Sequence, residues 1–131
     1  MSNAGDENRR KAFADGAARA AMDLCCRAYV VSIHEMTLAR RSRAEAAYAR
    51  QVAMYLAHVV GHLSIGEIGA AFDRDRSTVR HACHIIEDRR DSPVFDREIE
   101  ALENAYRDRV KRLFAASLEK KSASEPLRLR A

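Results

Sequence analysis

Ser64-Ile65-Gly66-Glu67-Ile68-Gly69-Ala70-Ala71-Phe72, then Asp73-Arg74-Asp75, then Arg76-Ser77-Thr78-Val79-Arg80-His81-Ala82-Cys83-His84-Ile85-Ile86 reads as two helices joined by a turn. Ser64 with Glu67 three residues on is a capping-box start signal, and Ile65, Ile68, Ala71 and Phe72 supply the buried stripe of a helix only two turns long. Asp73-Arg74-Asp75 is a tight polar turn. Over 76–89, Val79, Ala82, Cys83 and Ile86 cluster in a narrow arc of a second helix. That leaves Ser77, His81 and His84 on the opposite face, Arg80 at its border, and Asp75 and Arg76 at the N-terminal tip. A short helix, a tight turn and a helix with its own polar face form the layout of a helix-turn-helix, whose second helix enters the major groove. Hydroxyls, imidazoles and arginines on that face can exchange hydrogen bonds with base edges and phosphates. A merely solvated face is the other reading of the same pattern.

Outward from this core, the apolar spacing is 3.6-like throughout, which predicts an all-α class. A first helix is expected over about 11–29, burying Phe13, Ala17, Ala21, Leu24 and Ala28. Ser32, with Glu35 three residues later, starts a short helix to about 38. Arg40-Arg41-Ser42-Arg43 interrupts the apolar period as a basic loop. A strongly apolar helix follows over about 45–60, and Gly61 suits its C-terminal end. After Ser92-Pro93 a long amphipathic helix, 94–118, carries Phe95, Ile99, Leu102, Tyr106, Val110 and Leu113 and closes a compact helical domain. The expected organisation is a flexible tail over 1–10, one domain over 11–119 and a flexible tail over 120–131.

Composition agrees with one modest core. The chain has 131 residues, 47% hydrophobic and 32% charged, and its Gly 5 and Pro 2 are too few for a loop-rich β protein. Lys+Arg 23 against Asp+Glu 19 gives a net charge of +4, and a pI near 9.2 favours polyanionic partners. Three cysteines without framework spacing read as free thiols of a reducing cytoplasm. With no signal-type or membrane-length apolar run, a cytoplasmic, nucleoid-associated location is expected and no membrane partner.

Arg50-Gln51-Val52-Ala53-Met54-Tyr55-Leu56, the Ser64–Phe72 segment and Arg74-Asp75-Arg76-Ser77-Thr78-Val79-Arg80-His81-Ala82-Cys83 together, in this order and spacing, closely resemble the C-terminal DNA-binding domain of the bacterial replication initiator DnaA. The similarity covers residues 14 to 109. It implies a helical helix-turn-helix fold and double-stranded DNA carrying a DnaA-box-like site as partner. Carried over by residue, Asp75 matches the family's base-reading acid, Ser77 and Thr78 its two threonines, and His81 with Ala82 the closing pair. Arg41 matches the arginine inserted into the adjacent minor groove. The chemistry is compatible: an acid accepts from cytosine N4, Thr meets a thymine methyl, and Arg suits a narrow minor groove. Asp75 as a plain N-cap and His81 as a structural histidine are the competing readings.

Several positions depart from the family pattern. Arg76 replaces a His, Arg80 an apolar residue and Gly66 a usual Pro, and the glycine or glycine pair before the signature is shortened to Asp73. These bear on the preferred sequence rather than on binding itself. Arg40, Arg41, Arg43, Arg50, Arg74 and Arg80 are expected near phosphates, and about five such contacts would give a salt slope of about −4 to −5. Ser64 and His84 complete the expected interface.

No G-x-x-x-x-G-K-[ST] stretch occurs, so neither a nucleotide nor the initiator's motor is expected in this chain. His58 and His62 stand four apart, and His81, Cys83 and His84 are close in sequence. A third and fourth ligand at zinc spacing are missing, and His81 and Cys83 project about 160° apart on a helix. No metal, no cofactor and no catalytic activity are therefore expected. The sequence reads as a free-standing sequence-specific DNA-binding domain that regulates transcription or replication initiation without ATPase activity. The alternative is a protein interaction module with a vestigial helix-turn-helix, docking on a replication or transcription protein, or forming a homodimer, through helix 94–118.

Overall fold

In the computed structural model, residues 4–38 and 43–123 are described, with side chains to Glu119. They form six helices: α1 (Ala4–Tyr29), α2 (Ile33–Thr37), α3 (Ala44–Val59), α4 (Ile65–Phe72), α5 (Arg76–Arg89) and α6 (Pro93–Ala123). No strand occurs among the described residues, so the chain is all-α.

Small residues dominate the centre. On α1, Ala14, Ala17, Ala18 and Ala21 are buried, and on α3 Ala46, Ala49, Ala53 and Ala57 are too. Alanine faces let two helix backbones approach closely, and the α1–α3 contact is the most extensive in the fold. The antiparallel α6 closes over α1, where the buried Tyr106 hydroxyl donates to the Ala17 carbonyl at 2.8 Å. On its other side α3 receives α5, which also rests on α4. Two capping boxes fix where short helices begin: Ser32 with Glu35 for α2 and Ser64 with Glu67 for α4. Pro93 opens α6, where its missing N–H costs nothing.

The structure departs from the expected boundaries at both ends. α1 starts at Ala4, so residues 4–10, read as tail, are helical. Its seven extra residues are mostly polar and carry no apolar period, but Arg10 reaches Glu67 with bonds of 2.9 and 2.7 Å. That tertiary tie is invisible to periodicity. α6 runs on to Ala123, five residues past its expected end.

Gly61 has a different role from the one its place suggests. The left-handed residue after α3 is His62, with φ 56°. Gly61 is instead required by proximity: a Cβ there would lie 2.7 Å from the Ala57 carbonyl oxygen and 2.8 Å from the Tyr106 hydroxyl. Val30 ends α1 in the same left-handed region, with φ 53°, while 85% exposed.

Candidate nucleic-acid interface

The turn between α4 and α5 is built from backbone contacts. Ser64 Oγ accepts from the Glu67 N–H at 3.0 Å, and Glu67 accepts from the Ser64 N–H at 2.9 Å. Ile68 and Phe72 then drive α4 into the core. Asp73 adopts the left-handed conformation at φ 55°, and the Arg74 N–H returns to the Gly69 carbonyl at 2.9 Å. Asp is among the few side-chain-bearing residues that accept this geometry, which explains how it stands in for a glycine. Gly69 itself cannot be larger, because a Cβ would meet the Arg74 carbonyl oxygen at 2.7 Å.

α5 buries Val79, Ala82 and Ile86, while Cys83 is half-buried. Arg76, Ser77, Thr78, Arg80, His81 and His84 are all exposed. Among the described residues none of these six side chains makes a hydrogen bond or ion pair, which leaves every donor and acceptor on this face available to an external ligand. The structural-histidine reading of His81 therefore fails. Asp75 occupies the N-cap position of α5, but its side chain makes no cap bond. Its carboxylate is not engaged there.

The remaining expected contact residues sit differently. Arg43 is held by Glu35 through bonds of 2.9 and 2.7 Å, and that guanidinium keeps the Glu35 carboxyl below the ordinary range. Arg50 donates to the Met36 carbonyl at 2.8 Å and the Glu35 carbonyl at 3.1 Å. Burial, and secondarily the Arg74 cation, lower the Arg50 pKa. Arg74 donates to Phe72 and Asp73 carbonyls at 3.0 and 3.1 Å and also to that of Leu38. Arg50 and Arg74 thus brace the end of α2 and the α4–α5 turn. Ser64 serves as a cap. Arg40 and Arg41 lie outside the described residues.

Two relationships escaped the sequence. The Arg76 guanidinium lies over Gly66, where a Cβ would stand 3.0 Å from Nη2. Beside it an open cleft of about 480 Å³ runs between α4 and α5, lined by Gly66, Gly69, Ala70, Asp73, Arg74, Asp75, Arg76 and Thr78. The Arg10–Glu67 pair is the other; no spacing rule links residues so far apart. Among the described residues no group of three potential metal ligands assembles, and no helix is long and apolar enough to cross a membrane.

The sequence model of the family described as the bacterial DnaA protein helix-turn-helix matches residues 19–86. Among solved structures, the chain is similar to the crystal structure of a DNA replication initiation factor, with a TM-score of 0.69 and 27% identity, covering 80% of this chain and 32% of that one. It is similar also to the replication initiator DnaA bound to AMPPCP and single-stranded DNA, with a TM-score of 0.69 and 26% identity, covering 81% and 32%. The chain thus spans about a third of the length of the solved structures that it matches.

Proposed function

Because the chain belongs to the family of bacterial DnaA helix-turn-helix DNA-binding domains, we propose that it binds double-stranded DNA sequence-specifically, with α5 in the major groove of a DnaA-box-like site. The observation that carries this reading is the row of six exposed side chains on α5, from Arg76 to His84, without an intramolecular partner. In this reading Asp75, Ser77, Thr78 and His81 face base edges, Arg76 and Arg80 reach a base or a phosphate, and His84 lies farther along the groove. Arg41 enters the neighbouring minor groove, as the family resemblance implies. Arg43, Arg50 and Arg74 act at one remove, by fixing the segments on either side of residues 39–42 and the turn between α4 and α5. The chain regulates transcription or replication initiation at the nucleoid, in the cytoplasm, with no ATPase among these residues.

A gel shift with a DnaA-box duplex and a scrambled duplex of equal length tests the proposal. A shift confined to the box duplex supports it. No binding to either below about 100 µM, the weak limit of non-specific contact, rejects it. The second reading, a docking module, is favoured by Phe114 and Leu118, which stand 56% and 52% exposed near the end of α6; it predicts a DNA-silent protein.

A further inference from the structure

Three arginines outside the helix-turn-helix line one cleft. Between α1 and α6, an opening of about 350 Å³ is bounded by Ala20, Arg27, Arg109, Arg112 and Leu113, with no acid in its wall. Arg27 and Arg112 are exposed and Arg109 is half-buried. Among the described residues none of the three has a hydrogen-bond or ion-pair partner. Their neighbours on the same helices do: Lys11 pairs with Asp15 at 3.0 Å, Arg19 with Asp23 at 3.2 Å, and Arg107 bonds Asn104 at 2.9 Å. Asp108, one turn before Arg112 and so in reach of it, forms no pair with it. Gathering permanent cations that no carboxylate pairs is unfavourable by itself.

We propose that this cleft takes the phosphodiester backbone of a second DNA segment. Each guanidinium offers a planar fork that matches phosphate oxygens, and a duplex supplies phosphates in a row, so one backbone neutralises adjacent cations while releasing its own counterions. The cleft belongs to the α1–α6 pair, whereas α5 rests on α3 and α4. A chain holding DNA at α5 thus presents a second cationic surface. The proposal goes beyond the α5 reading and stands without it.

The test is fluorescence anisotropy at low salt with a labelled random-sequence duplex, on four full-length proteins: wild type, R27Q/R109Q/R112Q, S77A/R80A/H81A, and all six changes together. Residual binding by S77A/R80A/H81A that falls about tenfold further in the six-change protein, with a salt slope shallower by about 2 to 3, is expected. Equal affinities for S77A/R80A/H81A and the six-change protein overturn the proposal. Failure of the α5 reading looks different: S77A/R80A/H81A would then bind like wild type. R27Q/R112Q, which changes only exposed positions, should show an intermediate loss, and circular dichroism confirms folding. Should R109Q unfold the chain, an unchanged affinity in R27Q/R112Q on the S77A/R80A/H81A background overturns the proposal alone.

Discussion

The guanidinium of Arg76 lies across the space that a side chain at Gly66 would fill, with Nη2 3.0 Å and Cζ and Nε 3.3 Å from the position of a Cβ. The family resemblance of the sequence implies Pro at the first position and His at the second, so both residues depart from the implied pattern. The two departures are one structural feature, because the missing side chain at the start of α4 makes room for the longer one at the tip of α5.

Arg76 is expected to change the base that is read. Arginine pairs best with guanine through O6 and N7, whereas thymine offers one acceptor and a methyl group. Arg76→His should move preference away from guanine at one position by about 1–3 kcal/mol. Affinities of both proteins for four duplexes that differ only at that base pair check this; equal losses on all four would assign Arg76 to the backbone.

Substitution of three glycines by alanine should separate flexible from rigid neighbours. At Gly66 the obstructing group is the far end of a side chain, so Gly66→Ala should leave stability within about 1 kcal/mol, helped by helix propensity. At Gly61 and Gly69 the Cβ would meet a backbone oxygen at 2.7 Å. Those two variants should each lose about 1–3 kcal/mol in urea titrations, as overpacked sites do.

Glu67 has two tasks, capping α4 and receiving Arg10. The Arg10 hydrogen bond is the main cause of its lowered pKa. A carboxylate with a depressed folded-state pKa contributes stability above its unfolded pKa, and the contribution is lost as pH falls through the folded value. Acid titration of stability should therefore show a step below pH 4.5, the ordinary value, that is absent in Glu67→Gln. Arg10→Ala should cost less than about 1 kcal/mol, since the pair is partly exposed.

Arg50 and Arg80 should separate stability from binding. Arg50→Ala removes two bonds to α2 carbonyls and should lower stability by about 1.5–3 kcal/mol. Arg80 makes no hydrogen bond or ion pair within the chain, so Arg80→Ala should leave the melting temperature unchanged while weakening DNA binding. Calorimetry and anisotropy on the same preparations check both; a reversed pattern would reassign the two residues.

Val30→Gly should stabilise the protein by about 1 kcal/mol, because a β-branched residue is held at φ 53° with 85% of its surface exposed. An unchanged denaturation midpoint would mean that the strain is relieved in solution.

The helix order and the turn were legible because their signals are local. Ser32 and Ser64 each carry a capping box, and Val79, Ala82 and Ile86 recur at helical spacing, so α2, α4 and the buried side of α5 follow from neighbours along the chain. The exposed face of α5 follows from the same period. What the sequence could not tell apart was one arginine from another. Arg43, Arg50 and Arg74 look like phosphate ligands beside a basic loop, yet their partners are Glu35 and the carbonyls of Glu35, Met36, Leu38, Phe72 and Asp73. A cation's partner is chosen by tertiary proximity, which has no period. The start of α1 was missed for the same reason, since Arg10 finds Glu67 only after the chain has folded. Assigning those three arginines to internal bonds also lowers the expected salt slope to about −3, in place of −4 to −5.

Selection of bound duplexes from a random-sequence pool decides whether α5 reads a sequence, since it presumes no site in advance. Wild type should converge on one short box-like element, with guanine opposite Arg76, whereas S77A/R80A/H81A should fail to converge. A recovered pool indistinguishable from the input, or the same element recovered by both proteins, would overturn sequence reading by α5.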